Sequence, residues 1–564
     1  MNICVIPARG GSKGIKRKNL RFLSGKPLIQ YSIENSLNSK YIDRVIVTTD
    51  DEAIKDFVSR FDVLIRERPK ELAEDNVTLD PVIIDAINWY EDQYNELSDT
   101  VITIQPTSPL LTVKTLDDAI EYFVNKNFES LISVVDDTHL RWRIMNDSFV
   151  PEYHKRVNRQ WLPKTLKETG TFVISKRNLL KGGKRIGGRV GIYEVPVYES
   201  IDIDSPFDWF LSSSLMRRIK INFVVTGNNV LGTGHVYRAL TLADLWLGND
   251  INFLLYKVST EVESLIRNRG YKVQHIESLN EVLNFIEKYS IVINDVLDTP
   301  RDYVQNLKKR NIYVVNFEDL GDGSYEANLV FNALYERVDS PSNHKYGYKY
   351  ECLNEMFFLE QPNDFNDDIK NIIITFGGSD PANLTMKTLK SIENIPLLDE
   401  INTKIVVGVA YKWYDELINY LSDSKWKNRS IQVMKNVTNM AKIMRKTDLA
   451  ITSNGRTIYE LISMGIPIIS IAQNDRETMH LFARYSDSVK YLGIHCTVTE
   501  QDIRENVESL IFDKSKREKM YNSLPIEEIR KGSERVLRII ESEYWNWREE
   551  NEGNIHWKEE NNSK

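Results

Sequence analysis

Residues 6–19 read IPARGGSKGIKRKN. They follow the short apolar run NICVI (2–6), so a strand passes directly into three glycines, two arginines and three lysines. Glycines 10, 11 and 14 let backbone N–H groups turn inward around an anion, and Arg9, Lys13 and Lys18 supply charge. The GxxxxGK[ST] spacing of a Walker loop is absent. Downstream, continuous apolar runs at 44–50 (RVIVTTD), 100–108 (TVITIQPTS) and 130–137 (SLISVVDD) alternate with helical patterns at 80–97 and 115–127. Strand runs separated by helices predict βαβ units and a mostly parallel sheet with helices on both faces. Ligands bind at the carboxyl ends of such strands, where the glycine loop lies.

Near residue 218 the pattern restarts. SPFDWFLSSSLMRR (205–218) reads as a closing helix, and IKINFVVTGNNVLGTGHVYRALTLADLW (219–246) as a new strand, glycine loop and helix. Further strands are expected at 290–295, 311–319, 371–380, 404–410, 449–455 and 467–473. A glycine turn at Gly377–Gly378, after the polar connector EQPNDFNDDIK (360–370), marks a second lobe. The expected division is 1–218, 219–365, 366–545, and a polar, frayed tail at 546–564. The aromatic run YWNWREEN (544–551) reads as a helix end packed on the second lobe.

Composition narrows the function classes. A net charge of −8 argues against nucleic acid as the main partner. No run of about 18 apolar residues predicts a membrane span, and the first residues lack the pattern of a secretory signal. Cys4, Cys352 and Cys496 are far apart and odd in number, which fits reduced thiols in cytoplasm.

Four segments taken together, IPARGGSKGIKRKN, RERPKELAEDN (66–76), IQPTSPL (104–110) and SIDID (200–204), resemble the CMP-sialic acid synthetase family over about the first 215 residues. The resemblance implies a Rossmann-like nucleotidyltransferase domain in which a nonulosonic acid hydroxyl attacks the α-phosphorus of CTP and pyrophosphate leaves. It implies that Arg9, Ser12 and Lys18 cradle the triphosphate and that Asn19 helps hold the nucleotide. Arg68 and Asp75 would border the cytidine, Gln105 would reach toward the sugar acid, and the domain would form a homodimer. Asp202 and Asp204 alternate along an expected strand and so share a face. Two carboxylates there suit a hard cation that keeps several waters, most simply Mg²⁺. Leu111 stands where the family has arginine, and the sugar-acid segment appears as LKETGTFVIS (166–175). Lys167 in it can pair with the substrate carboxylate as a point charge. N-acetylneuraminic acid and related nonulosonates remain equal candidates.

In the second half, GTGHVYR (232–238), NFEDL (316–320), LVFNALYE (329–336), ITFGGSDPANLT (374–385) and TSNGRTIYELISMGIP (452–467) resemble the UDP-sugar hydrolase of the pseudaminic acid pathway over about 219–485. The resemblance implies a two-lobed, GT-B-like Rossmann pair with UDP between the lobes and His235 as general base. His235 opens a helix, where the dipole favours the neutral imidazole. By the same resemblance Gly377, Gly378 and the N–H groups from Ser453 to residue 457 would face the diphosphate. Glu460 would take the ribose or uracil, and Asn332 would touch the sugar. An expected Asp-x-Tyr appears as INDVLDT (293–299), without the tyrosine. Three readings of this half stay open: hydrolysis of a UDP-linked amino sugar, transfer to an acceptor hydroxyl, and non-catalytic sugar-nucleotide binding. With hydrolysis the chain would be bifunctional, supplying a free sugar early in nonulosonate synthesis and activating the product late.

Overall fold

Why the apolar runs become strands is visible in what covers them. The computed structural model describes residues 1–11, 14–227, 234–335, 341–423, 426, 429–437 and 439–562. The chain divides into two compact units, Met1–Arg218 and Ile219–Lys564.

In the first unit seven strands form one sheet, in the order Val190–Glu194, Ser130–Asp136, Leu166–Lys176, Thr100–Ile104, Asn2–Pro7, Arg44–Thr49, Leu64–Glu67. Only Leu166–Lys176 runs antiparallel to its neighbours; the other pairs are parallel. Asn2–Pro7 alternates its side chains between two cores. Ile3 and Val5 pack with Ile83, Ile87 and Tyr90 of helix Leu79–Tyr94, while Cys4 and Ile6 pack with Leu116, Ile120 and Phe123 of helix Val113–Asn125. Each such fully buried side chain contributes about 1.5–3 kcal/mol. Strand order reverses between Asn2–Pro7 and Thr100–Ile104, so a crevice opens at their carboxyl ends, beside residues 8–11 and 105–108.

The second unit holds two all-parallel sheets. The first runs Lys272–Ile276, Asp250–Val258, Lys220–Gly227, Ile291–Asp295, Tyr313–Phe317, Leu329–Asn332, His344–Tyr346. The second runs Ile431–Lys435, Asn402–Val407, Asn371–Thr375, Leu449–Ser453, Ile468–Ala472, Val489–Ile494. In chain order both begin 3-2-1-4-5-6, the doubly wound arrangement, and each reverses beside its first strand. The residues after Asp295, Thr375 and Ser453 therefore gather at the two crevices.

The C-terminus departs from expectation. One helix, Gly532–Asn562, replaces both the end of the second lobe and the frayed tail. Val536, Ile540 and Tyr544 recur every four residues and form one apolar stripe, and that stripe joins the core of the first lobe. Tyr544 and Trp547 pack on Tyr313 of that lobe. The aromatic run thus packs on the first lobe, against Tyr289 and Tyr313. Among the described residues no helix is long and apolar enough to cross a membrane.

Candidate functional site

In the first unit the basic loop is held by carboxylates. Arg9 Nη1 donates to Asp75 Oδ1 at 2.6 Å, and the Gly10 amide to Asp50 Oδ1 at 3.1 Å. Asn19 is buried and donates to the Arg9 carbonyl at 3.0 Å. Buried Arg68 is anchored by Nη2 to the Thr48 carbonyl at 2.8 Å; burial, then Arg9's charge, pulls its pKa down. Lys18 Nζ donates to Asp204 Oδ1 at 2.9 Å and to the Ile203 carbonyl. A methyl group at Gly14 would lie 2.2 Å from the Asp204 carbonyl oxygen, so only glycine permits this approach. Ser12 lies outside the described residues.

On the other side of the crevice Gln105 Nε2 donates to the Gly170 carbonyl at 2.8 Å. A methyl group at Gly170, where φ is +71°, would lie 3.6 Å from Asp202 Oδ2 and 2.8 Å from Gln105 Nε2. Gln105, Gly170 and Asp202 therefore meet. Lys167 is exposed three positions earlier on strand Leu166–Lys176, with no contact to them among the described residues.

SIDID is not a strand. Pro206 and a reciprocal capping box between Ser205 and Asp208 start a helix at Pro206, and the Ile203 amide is tied to the Thr107 carbonyl, so residues 201–204 pair with no neighbouring strand. Asp202 points inward: its Oδ1 is buried without a partner in good hydrogen-bond geometry among the described residues, and burial pushes its carboxyl up, with the Thr107 hydroxyl offsetting part of the rise. Asp204 is exposed on Lys18. An orphaned hard oxygen and an exposed carboxylate fit a cation that takes one or two carboxylates and fills its shell with phosphate oxygens and water, as Mg²⁺ does. Among the described residues no cluster of three or more acidic, His or Cys side chains offers an all-protein metal site.

In the second unit a cleft of about 320 Å³ lies between the lobes, lined by Gly234 and His235 of the first and by Gly377, Gly378, Ser453 and Arg456 of the second, among others. His235 opens helix Gly234–Leu245, and its Nδ1 lies 2.5 Å from Asp295 Oδ1. A carboxylate only accepts, so Nδ1 carries a proton, and in the neutral imidazole Nε2 is then the acceptor. Arg238, one helical turn on, clamps Asp295 with Nε on Oδ2 at 2.6 Å and Nη2 on Oδ1. Burial opposes the Asp295 charge, but Arg238 and then His235 outweigh it and hold the carboxyl below its usual range.

Two further acids face these arginines. Glu318 Oε1 accepts from Arg238 Nη1 at 3.3 Å and from Arg456 Nη2 at 3.1 Å; Glu351 Oε1 accepts from Arg456 Nη1 at 2.9 Å. Burial pushes Glu318 up to about 7 and Glu351 up to about 8, with Arg238 offsetting part of each rise.

Several expected contacts fall elsewhere. Glu460 is not part of the cleft wall; it sits near enough to Glu351 to raise that acid's pKa, and burial pushes its own up to about 7. Asn332 is fully buried, and neither amide atom has a hydrogen-bond partner among the described residues. Of the amides at 453–457, that of Asn454 is taken by Glu477 Oε2 at 3.2 Å. Arg238, Asp295, Glu318 and Arg456 lie in the segments GTGHVYR, INDVLDT, NFEDL and TSNGRTIYELISMGIP but, like Glu351, carry no assigned role in the sequence reading. Asp295 had a signal: it ends the strand adjoining the first strand, at the crevice.

The cytidylyltransferase family profile matches residues 3–207, and that of the glycosyltransferase family 28 C-terminal domain matches 372–536. An uncharacterised protein of Methanocaldococcus jannaschii is 32% identical over 46% of this chain and 56% of its own length. N-acylneuraminate cytidylyltransferase A of Danio rerio is 33% identical over 38% of this chain and 50% of its own. Pseudaminic acid cytidylyltransferase of Campylobacter jejuni is 35% identical over 30% of this chain and 76% of its own. The chain spans about half the length of the first two relatives.

Proposed function

The chain belongs to the cytidylyltransferase family over residues 3–207, and from that premise we propose that its first unit converts CTP and a nonulosonic acid to the CMP-linked sugar acid and pyrophosphate. The observation carrying this is the convergence of the Arg9–Asn19–Arg68 cluster, the Lys18–Asp204 pair and the orphaned Asp202 oxygen on one crevice. The triphosphate displaces carboxylates from Arg9 and Lys18 and takes over their charge. The P–O bond to the sugar acid forms as that to pyrophosphate breaks, and these cations stabilise the leaving charge. Asp202 and Asp204 would hold Mg²⁺, which supplies further charge neutralisation at the phosphates when bound. Gln105 and Gly170 position the sugar acid.

The test is pyrophosphate release from CTP and Mg²⁺ with sialic, legionaminic, pseudaminic and deaminated acids, alongside Arg9→Ala and Asp204→Asn. Turnover with one acid, lost in both variants, supports the reading; no turnover and no CTP binding overturn it.

For the second unit, the proposed reaction is release of UDP from a UDP-linked amino sugar by water. The carrying observation is His235, fixed through Nδ1 by Asp295 and set in the cleft wall, where its neutral form would take a proton at Nε2. Water gives its proton to Nε2, its oxygen bonds to the anomeric carbon, and the bond to UDP breaks. The glycosyltransferase family 28 match favours a second reading, in which an acceptor hydroxyl replaces water. UDP release without an acceptor supports hydrolysis; release only with one supports transfer.

A homodimer through the first unit is also proposed. Hairpin Trp142–Met145/Ser148–Pro151 sets Trp142, Ile144 and Phe149 on one exposed face, with Ile144 opposite Phe149. Phe149→Glu should then shift the sedimentation of the full chain toward monomer.

A further inference from the structure

A line of alternating charge runs from the second lobe to the base in the first. Arg456 Nη2 reaches Glu318 Oε1 at 3.1 Å; the same oxygen takes Arg238 Nη1 at 3.3 Å; Arg238 Nε holds Asp295 Oδ2 at 2.6 Å; and Asp295 Oδ1 holds His235 Nδ1 at 2.5 Å. We propose that Glu318 and Arg456 are positioning residues that make the orientation of the His235 imidazole depend on the second lobe being seated against the first. The inference rests on the general-base role proposed for His235.

Three observations carry it. Arg456 stands in the cleft wall, yet both its Nη atoms are committed to carboxylates, Glu351 and Glu318, rather than left for a diphosphate. Its side chain also lies against the turn that carries His235, since a methyl group at Gly234 would be 3.7 Å from Arg456 Cδ. Glu318 has a backbone φ of +52°, a left-handed conformation unfavourable for a residue with a Cβ and kept where surroundings enforce it. The surroundings here are two arginines and the Ala333 amide, all on one carboxylate oxygen.

The middle members, Arg238, Glu318 and Asp295, are buried, so their charges are weakly screened and each orders the next. With Arg456 removed, Glu318 keeps only Arg238 and the Ala333 amide. The guanidinium then shifts off Asp295, and the imidazole loses its single hydrogen-bonded setting.

The experiment uses the full chain labelled with ¹⁵N-histidine, with the His235 signal identified by its absence in His235→Gln. Wild type should show one tautomer, protonated at Nδ1. Arg456→Ala and Glu318→Gln, neither of which touches the imidazole, should both move the signal toward tautomer averaging, and Arg456→Lys should recover part of the wild-type signal. The kcat for UDP release should fall roughly 10- to 100-fold in Arg456→Ala with KM little changed. An unmoved His235 signal in both variants would overturn the proposal, as would a rise in KM at constant kcat, which would make Arg456 a nucleotide ligand. Failure of the underlying reading looks different: no UDP release from any UDP-amino sugar by wild type, with the NMR displacement intact.

Discussion

The two candidate sites handle charge in opposite ways. In the first unit the ion pairs are open to solvent: the Arg9 and Asp75 side chains are 36% and 50% exposed, and Asp204 is 77% exposed on Lys18. Such pairs are worth about 0–1 kcal/mol each, so an incoming triphosphate exchanges them at little cost. In the second unit Asp295 and Arg238 are 1% and 2% exposed. Their partners cannot be exchanged for water, and breaking the pair strands a charge. On the proposed readings the first site would trade carboxylate for phosphate, and the second would hold an imidazole still.

The largest effect expected from this contrast is catalytic. His235→Gln should lower UDP release by about 10²- to 10⁴-fold, as loss of a general base does. Pyrophosphate release from CTP by the same preparation should be unchanged, and a parallel loss would show that the variant had merely misfolded.

Stability offers the next test. Asp295→Ala should cost about 3–5 kcal/mol in denaturant unfolding of the second unit, since buried Arg238 loses both bonds to Asp295 and keeps only the longer one to Glu318. Asp75→Ala should cost under about 1 kcal/mol and vanish at high salt. Equal costs would erase the distinction between the sites.

Gly14→Ala sharpens the comparison from the other side. Its methyl group forces the loop and Asp204 apart, so cytidylyl transfer should fall roughly 10- to 100-fold with little loss of stability. Activity within about twofold of wild type would mean that the Asp204 position is not critical.

The smallest effect concerns pH. The folded pKa of Glu460, about 7, exceeds its ordinary 4.5 because of burial. Its contribution to stability is therefore complete below about pH 4.5 and lost as pH rises through about 7. Glu460→Gln should raise the Tm of the second unit near pH 8, by the equivalent of about 1–3 kcal/mol, and leave it unchanged near pH 4. A uniform shift at both pH values would exclude titration as the cause.

Much of this was legible beforehand, and unevenly. Apolar runs such as TVITI and SIVIND became strands because burial on both faces selects that composition. SIDID was misjudged as a strand because i, i+2 alternation says nothing about a partner strand, whereas the Ser205–Pro206–Asp208 capping signal beside it was readable. His235 stood out by its place at a helix start. Glu318 lay inside the NFEDL segment without a role of its own, and Glu351 did not stand out at all, because an isolated glutamate in a chain with 81 acidic residues carries no local mark.

By itself the sequence determined most of the strands and helices, the restart after residue 218 and the crevices, since periodicity and glycine placement are local properties of the chain. Only the tertiary structure decided that Asp295 holds His235, that Glu318 joins two arginines 218 positions apart in sequence (Arg238 and Arg456), and that the C-terminal helix returns to the first lobe. Those choices depend on which strand ends and apolar faces meet in space, and pairing across such distances leaves no periodic trace in sequence.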